Sequence, residues 1–528
     1  MDEEKYKIKS NTIVCLGIGG CAVFYVAKYL QLLGNRILGY DIEENSRIRK
    51  LKVLENVKVI LGNPTKKPFK ENIGLIIYTA ALPDKVIEQV RMQNPQIEMI
   101  EAGVFVDNLT QKFEKGDLEA EELRAFKKSG VAPLYALDYS KQKFIGVTGT
   151  DGKTTTCSMI YHALQELGYR PGMVSTVEAK IGNKSMDTGL HTTTPSAQEL
   201  FKFIRMMQSE NCTHIILECT SHGLVMGRLS GVKLDVAVYT NIKEEHLDYH
   251  KTWRDYAKAK SRLITRHLKP TGTAILNKDD RRAFDLLKDL AENTIAYTTR
   301  SKHIEGTPEG LKFELDGRMY ALPILGRYNV ENALAAIEAC KSLGIKGSEA
   351  AEVLGSFKTV CGRMSVLQRE PFYVIVDFAH TPNALKVVLQ SVQKLKRTED
   401  NKIILVFGCA GKRDHSKRFS MGKLAKKYAD ITILTAEDPR SESLKEINNE
   451  IESGWNSTED STGQKLLFRF DDASAGVDIR RQAIKKALGL ANGGDVVLVT
   501  GKGHERSLCF GVEEYVWNDI DEIKKLLQ

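Results

Sequence analysis

KFIGVTGTDGKTTT, residues 143–156, is an apolar run that enters a glycine turn and leaves it on helix-forming residues. The reading of the fold starts here. The order strand, glycine turn, helix builds a phosphate loop: glycines let backbone N–H groups close around anionic oxygens, and the following helix N-terminus adds positive potential. Gly149, Thr150, Asp151, Gly152, Lys153, Thr154 and Thr155 form the loop. Lys153 is placed to reach β- and γ-phosphates, and Thr154 to offer a hydroxyl to Mg²⁺. The match to GxxxxGK[ST] is incomplete, because Val147 stands where the first glycine would be. A phosphate loop alone would serve any nucleotide hydrolase.

Outward from this loop the chain alternates strand-like and helical segments. Toward the N-terminus, NTIVCLGIGG (11–20), the helical CAVFYVAKYLQLLG (21–34) and NRILGYD (35–41) make a β-turn-α-β opening, and LIIYTAALP (75–83) reads as a later strand. The charged stretch 108–130 reads as a helix and connector. Toward the C-terminus, THIILECT (213–220) and DVAVYTN (235–241) are strands. FYVIVDFAH (372–380), KIILVFGCA (402–410), DITILTAEDP (430–439) and DVVLVTGKGHE (495–505) follow as further short strands between helical patterns. Such alternation predicts α/β architecture with parallel sheets, whose ligands gather at the carboxyl ends of strands. Three domains are expected: a Rossmann-like unit over 1–138, a central ATPase-like unit with the phosphate loop over 139–360, and a second Rossmann-like unit over 361–528. A chain of 528 residues accommodates three.

Composition excludes other classes. Lys and Arg exceed Asp and Glu by 76 to 68, and no long basic run concentrates the excess, so nucleic acid is not expected as a partner. The 9 cysteines contain no CxxC pair, which argues against a zinc ribbon or a disulfide framework and for free thiols in a reducing compartment. The polar opening MDEEKYKIKSN lacks a signal sequence, and no run is long and apolar enough to span a membrane. A cytoplasmic monomer is expected.

Beyond the loop, an ordered series of motifs continues: LECTSHGL (217–224), TNIKEEHLDYH (240–250), YAKAK (256–260), GRYNVENALAA (326–336), VCGRM (360–364), DFAHTPNAL (377–385), FGCAGKRD (407–414), EDPR (437–440) and GKGHE (501–505). From about residue 140 to the end, this series resembles the Mur ligases, and most of all the MurE type. The resemblance implies ATP and Mg²⁺ as cofactors, with Thr154, Glu218, His246 and a carbamylated Lys260 around the metal, and Lys153, His246 and Lys260 as the catalytic set. Family members usually carry Asp before this histidine, where this chain has Glu245. Lys258 is the better candidate for an ordinary solvated lysine. Asn329 and Asn332, three apart on one helical face, are implied in adenine binding, with an N-cap as the competing role for Asn329. Arg363, Asp377 and His380 are implied near the ribose and phosphates.

The resemblance also implies a nucleotide-peptide substrate held by Thr193, Thr194, Thr220 and Arg228, and an incoming amino acid lined by Arg413, Asp438, Arg440, Gly501 and Glu505. Diaminopimelate-adding members usually read DNPR; here the string is EDPR. Arg440 suits a distal carboxylate, whereas Asp438 would repel one and attract an ammonium, so lysine stays open beside meso-diaminopimelate. The first domain departs from the MurE type. Gly17, Gly19 and Gly20, with Asp41 about 20 residues on, form a dinucleotide-type turn, and together with YTAALP they are more similar to the muramate–alanine ligases. A UDP moiety is the expected ligand there; NAD fits the turn alone, but no dehydrogenase constellation accompanies it. The expected reaction is an ATP-dependent amide synthesis on a UDP-linked muramoyl peptide through an acyl phosphate. Rival readings are a muramate–alanine ligase, which HLDYH, VCGRM and GKGHE oppose, an archaeal pseudomurein peptide ligase, and a nucleotide-binding regulatory protein without turnover, which the retained Glu218, His246 and Lys260 oppose.

Overall fold

The computed structural model describes residues 12–66, 69, 73–79, 82, 84–129, 139–182, 184–186, 194–307, 309–459 and 465–528. Three main sheets follow one another along the chain. The first contains β1 (Thr12–Leu16), β2 (Arg36–Asp41), β3 (Val57–Leu61), β4 (Ile73–Tyr78) and β5 (Met99–Glu101), all parallel in the order β3-β2-β1-β4-β5. The order reverses direction between β1 and β4, which puts the glycine turn after β1 at the switch point where such folds take ligands. The stretch 108–130, expected as a helix and connector, holds the end of one helix and the whole of a second. Helices Ala102–Lys115 and Ala120–Ser129 flank a break, with Gly116 at φ 76° after the first of them.

The second sheet contains β6 (Lys143–Thr148), β7 (Pro171–Val174), β8 (Ala179–Ile181), β9 (Lys184–Met186), β10 (His214–Glu218), β11 (Leu234–Tyr239), β12 (Leu268–Asn277) and β13 (Asn293–Tyr297). Their order is β13-β12-β11-β6-β10-β7-β8-β9. The strand bearing the phosphate loop, β6, thus has β10 and β11 as immediate neighbours. Three loops from adjacent carboxyl ends converge for that reason alone. Beyond this sheet, β14 (Ile304–Gly306), β15 (Leu311–Leu315) and β16 (Arg318–Leu322) form an antiparallel meander. The tight turn Asp316-Gly317 joins β15 to β16 with both residues at positive φ, a hairpin signal the sequence carries openly.

The third sheet has the order β17-β18-β22-β19-β20-β21, built from β17 (Ser365–Gln368), β18 (Tyr373–Asp377), β19 (Ile403–Phe407), β20 (Ile431–Leu434), β21 (Leu466–Arg469) and β22 (Val496–Thr500). Only β17 runs antiparallel. A closing hairpin, β23 (Ser507–Phe510) with β24 (Glu513–Val516), precedes the last helix. One buried apolar cluster runs without interruption from Ile13 and Phe105 beside the first sheet to Phe201, Leu229 and Leu263 beside the second. Glu101 at the end of β5 adds an ion pair with Arg266 at 3.2 Å across the same junction.

Candidate active site

The phosphate loop is held from below and left open above. Thr150 N and Asp151 N donate to the backbone and side-chain oxygens of Asn241 at 2.8 and 2.9 Å. Gly149 and Gly152 take φ 158° and 82°, and a Cβ at either position would strike Thr240 or Asn332. By contrast, the amides of Gly149, Gly152, Lys153, Thr154 and Thr155 find no acceptor among the described residues. Lys153 Nζ folds back onto Thr150 O at 2.8 Å, beside those open amides.

Glu218 ends β10 directly alongside. It is 2% exposed, and it accepts from Thr154 Oγ1 at 3.0 Å, Thr176 N at 2.8 Å and Thr176 Oγ1 at 2.9 Å. No lysine, arginine or histidine nitrogen lies within 4 Å of it among the described residues. A buried carboxylate normally has a cation or a metal. The set of Thr154 hydroxyl and Glu218 carboxylate therefore fits a hard divalent cation such as Mg²⁺. His246, after β11, is exposed with φ 54°; its ring stands 4.9 Å from that of His222 and 6.2 Å from Tyr256. Left-handed backbone at a non-glycine residue is costly and collects at functional loops. Met364, Lys412, Asp438 and Arg440 show it too, all at strand-end loops of the third unit.

Lys260 is 1% exposed, its Nζ donating to Gly149 O at 2.7 Å over the ring of Tyr256. Burial, followed by the charge of Lys153, drives its pKa well below the usual lysine range. Lys258 is exposed, as expected of a solvated lysine. A neutral buried amine is the form that adds carbon dioxide, so the position fits a carbamate chemically.

Asn329 and Asn332 lie beneath the loop. Asn329 Nδ2 donates to Leu325 O at 2.7 Å, and Asn332 Nδ2 to Asn329 Oδ1 at 2.9 Å. Asn329 is the second residue of the helix Tyr328–Ser342, after its N-cap Arg327, so the capping role is not what the structure shows. The third unit meets the loop directly: Asn383 Nδ2 donates to Asp151 Oδ2 at 2.9 Å. Asp377 accepts from Met364 N and Ala379 N, both at 2.7 Å, and the Arg363 guanidinium lies 4.4 Å over Phe378. Burial lowers His380 to about 3, so its ring is neutral; its Nδ1 meets Phe378 O and its carbonyl accepts from Lys417 Nζ.

Thr193 lies outside the described residues. Thr194 is buried, and its hydroxyl bridges Glu218 O and Thr220 Oγ1 at 3.1 and 3.0 Å, while Arg228 Nη1 donates to Thr194 O at 2.5 Å. Thr194 thus braces the loop that presents Thr220 and Arg228.

In the third unit, Asp438 follows β20 and Glu505 follows β22. Lys502, 1% exposed, bridges them with 2.7 Å to Asp438 Oδ1 and 2.5 Å to Glu505 Oε2. Asp438 also accepts Cys509 N at 2.9 Å. The free repelling carboxylate expected from the sequence is instead compensated by Lys502, a residue inside GKGHE that sequence reasoning passed over. Arg440 is half-buried, donates to Gly411 O at 3.2 Å, and has no carboxylate within 4 Å among the described residues. Gly501 at φ 104° packs against Glu437, whose buried carboxyl is raised to about 7 by burial. Arg413 is exposed.

At the first-domain turn the accounting differs. Gly17 N and Ile18 N donate to Tyr40 O, Gly20 N to Gly17 O, and Gly19 N to Asp41 Oδ2 at 2.8 Å. Asp41, expected to face a ligand, is spent on the turn itself. Among the described residues no acceptor is seen for the first-turn amides of the helix Cys21–Leu32, whose N-cap Gly20 supplies no side-chain cap.

Fold and site together define a three-unit α/β nucleotide-dependent protein with its phosphate loop in the middle unit. The Mur ligase middle-domain model matches residues 147–340, and the Mur ligase glutamate-ligase-domain model matches 362–503. A UDP-N-acetylmuramoyl-L-alanyl-D-glutamate–2,6-diaminopimelate ligase of Cytophaga hutchinsonii is 37% identical over 401 residues, 75% of this chain and 79% of that protein. A UDP-N-acetylmuramyl-tripeptide synthetase of a Roseiflexus species is 33% identical over 75% of this chain and 81% of its own length. Among solved structures, a diaminopimelate ligase of the same description superposes with TM-score 0.52 at 27% identity, covering 88% of this chain and 93% of its own. A pseudomurein peptide ligase type C from Methanothermus fervidus shares the fold over 98% of this chain and 99% of its own, with TM-score 0.51 at 18% identity. The chain belongs to the Mur ligase family.

Proposed function

We propose that this chain is an ATP-dependent, ADP-forming amide ligase that adds meso-diaminopimelate to UDP-N-acetylmuramoyl-L-alanyl-D-glutamate, a step of peptidoglycan precursor synthesis. The single observation that carries the choice of amino acid is Arg440, a half-buried guanidinium without a carboxylate partner among the described residues. Such a group calls for an anion, and the distal carboxylate of diaminopimelate supplies one where lysine does not. Lys502 pairs with Asp438, so a distal carboxylate does not meet Asp438 as a free like charge. The names of the relatives at 33–37% identity favour the same substrate pair.

The three sheets support a division into units 1–138, 139–360 and 361–528, serving the UDP moiety, ATP and the amino acid in turn. Thr154, Glu218, His246 and a carbamylated Lys260 would hold Mg²⁺, which when bound neutralises phosphate charge. The open amides of the loop receive the phosphates, and Lys153 stabilises charge on the transferring group. The substrate carboxylate attacks the γ-phosphorus and ADP leaves. The amine, having lost a proton, then attacks the acyl carbon and phosphate leaves. Thr220 and Arg228 position the acceptor end. The bond from Asn383 to Asp151 brings the third unit against the loop, where the amine of the incoming amino acid must meet the acyl phosphate.

The test offers a panel of amino acids with UDP-muramoyl-dipeptide and reads products by mass spectrometry and phosphate release. Phosphate release should require both partners, and diaminopimelate should outrun lysine. Lysine turned over far faster would overturn the amino-acid choice; release independent of both would overturn the ligase.

A further inference from the structure

The pocket assigned above to the amino acid is made by two loops that no ladder holds together. EDPR follows β20 and GKGHE follows β22, and in the sheet β19 lies between those strands. One backbone bridge, Arg440 with Phe510, ties EDPR to the hairpin after GKGHE, and among the described residues side chains make the remaining links between EDPR and GKGHE itself.

Arg480 spans that gap from underneath. It lies in the helix Asp478–Leu490 and is 0% exposed. Nη1 donates to Ala436 O at 2.9 Å and Nη2 to Thr500 O at 2.9 Å. Ala436 immediately precedes Glu437 of EDPR, and Thr500 immediately precedes Gly501 of GKGHE. The guanidinium is locked in turn by Asp519, with Nε to Oδ1 and Nη2 to Oδ2 both at 2.7 Å. Asp519 is fixed by Trp517 Nε1 at 2.8 Å. The planar fork makes four bonds in set directions, to two carbonyls and both oxygens of one carboxylate, whereas an ammonium has three donors and no fixed fork.

We propose that Arg480 is a positioning residue for the incoming amino acid: it sets the separation of the EDPR and GKGHE loops, and the C-terminal helix acts through Asp519 to keep it in register. The inference rests on the reading that these loops bind the amino acid. Lys502, itself in GKGHE, joins the loops through Asp438, and Arg480 joins them through the residues that precede each, so two cations brace the pocket. The motif analysis did not single out Arg480, because nothing in its local sequence marks it.

The test measures steady-state kinetics with each substrate varied, plus the hydroxylamine-trapped acyl phosphate formed without amino acid. In Arg480→Lys, KM for diaminopimelate should rise at least tenfold. KM for ATP and acyl phosphate trapping should stay within threefold. A residue that only supports folding would instead reduce the active fraction and leave KM alone, and that result overturns the proposal. Should Arg480→Lys fail to fold, Asp519→Asn retains the acceptor for Trp517 but sets an amide against Nη2; KM should rise at least threefold, and an unchanged KM overturns the proposal. Arg440→Ala, run in parallel, separates the two levels. If it raises KM while neither brace variant does, the positioning role falls and the pocket stands. If Arg440→Ala leaves KM unchanged, the pocket reading falls and the positioning role with it.

Discussion

Two glycine turns in this molecule look alike in sequence and differ in what they leave unbonded. Both follow a buried parallel strand and both open a helix. At Gly17–Gly20 the four turn amides are used internally, one of them by Asp41. At Gly149–Thr155 the amides of Thr150 and Asp151 are tied down, both to Asn241, and those of Gly149, Gly152, Lys153, Thr154 and Thr155 have no acceptor among the described residues. Glycines at either site are required by close approach of neighbouring atoms: Thr79 would lie 2.4 Å from a Cβ at Gly17, and Asn332 2.2 Å from one at Gly152. A glycine pattern thus reports where a backbone is crowded. Whether the turn binds an anion depends on where its hydrogen bonds go.

The comparison breaks first at the phosphate loop if it is wrong. Lys153→Ala should lower turnover by on the order of 10³-fold or more, because a charge directed at the transferring phosphoryl group is lost. Phosphate release dependent on both UDP-muramoyl-dipeptide and amino acid is the readout, and near-normal turnover would remove the catalytic assignment. Lys260→Ala should cost about 10²-fold, with partial rescue by a short carboxylic acid, since the carbamate proposed there would be an anion beside the metal. Lys258→Ala, two residues away and exposed, should change little. Equal effects of the two substitutions would return Lys260 to a structural role.

Much of this was readable from residues alone. The strands that end in Glu218 and Asp377, and those that precede Glu437 and Gly501, stand where apolar runs end at polar ones, because parallel strands buried on both faces announce themselves that way. That Glu218 and His246 follow the two strands flanking the one that bears the loop needed the sheet order, which places β10 and β11 on either side of β6. The partners of these residues were not readable. Asn241, Thr176, Asn383 and Lys502 are ordinary polar residues until the fold brings them to Asp151, Glu218 and Asp438. The Asp316-Gly317 hairpin was available as a local signal and went unread, so an antiparallel meander joined an architecture expected to be parallel.

The first-domain turn can be sharpened by moving its ligand. With the turn amides spent, the diphosphate of a UDP moiety has the first-turn donors of Cys21–Leu32 to meet. Ala22→Glu places a carboxylate among those donors. Affinity for the UDP-linked substrate should fall about tenfold, near 1.4 kcal/mol, with ATP affinity unchanged. Gly19→Val is a poorer probe, because a Cβ there would collide with Asn45 at 2.2 Å and disturb the turn itself. An Ala22→Glu variant that binds the UDP-linked substrate normally would remove the UDP site from this turn.

The smallest effect is expected at Asp41, and it discriminates best between ligands. In a dinucleotide site this carboxylate would face a ribose, and its removal would abolish NAD binding. Here its Oδ2 accepts Gly19 N at 2.8 Å and its Oδ1 accepts its own neighbour Ile42 N at 2.8 Å, so its bonds serve the turn. Asp41→Ala should therefore leave UDP-substrate affinity within about threefold, less than 1 kcal/mol. The loss should appear instead in local stability. Gly19 is buried, and its N–H would be left without an acceptor, a cost of about 1–2 kcal/mol. Hydrogen exchange over residues 17–20 should report that cost as faster local opening while exchange over 149–155 is unaltered. Tighter UDP binding in Asp41→Ala would mean that the Gly19 amide serves the phosphate once released, and that Asp41 competes with the ligand for it. Loss of binding would mean that Asp41 touches the ligand directly, and the contrast between the two turns would then lie in their ligands and not in their backbones.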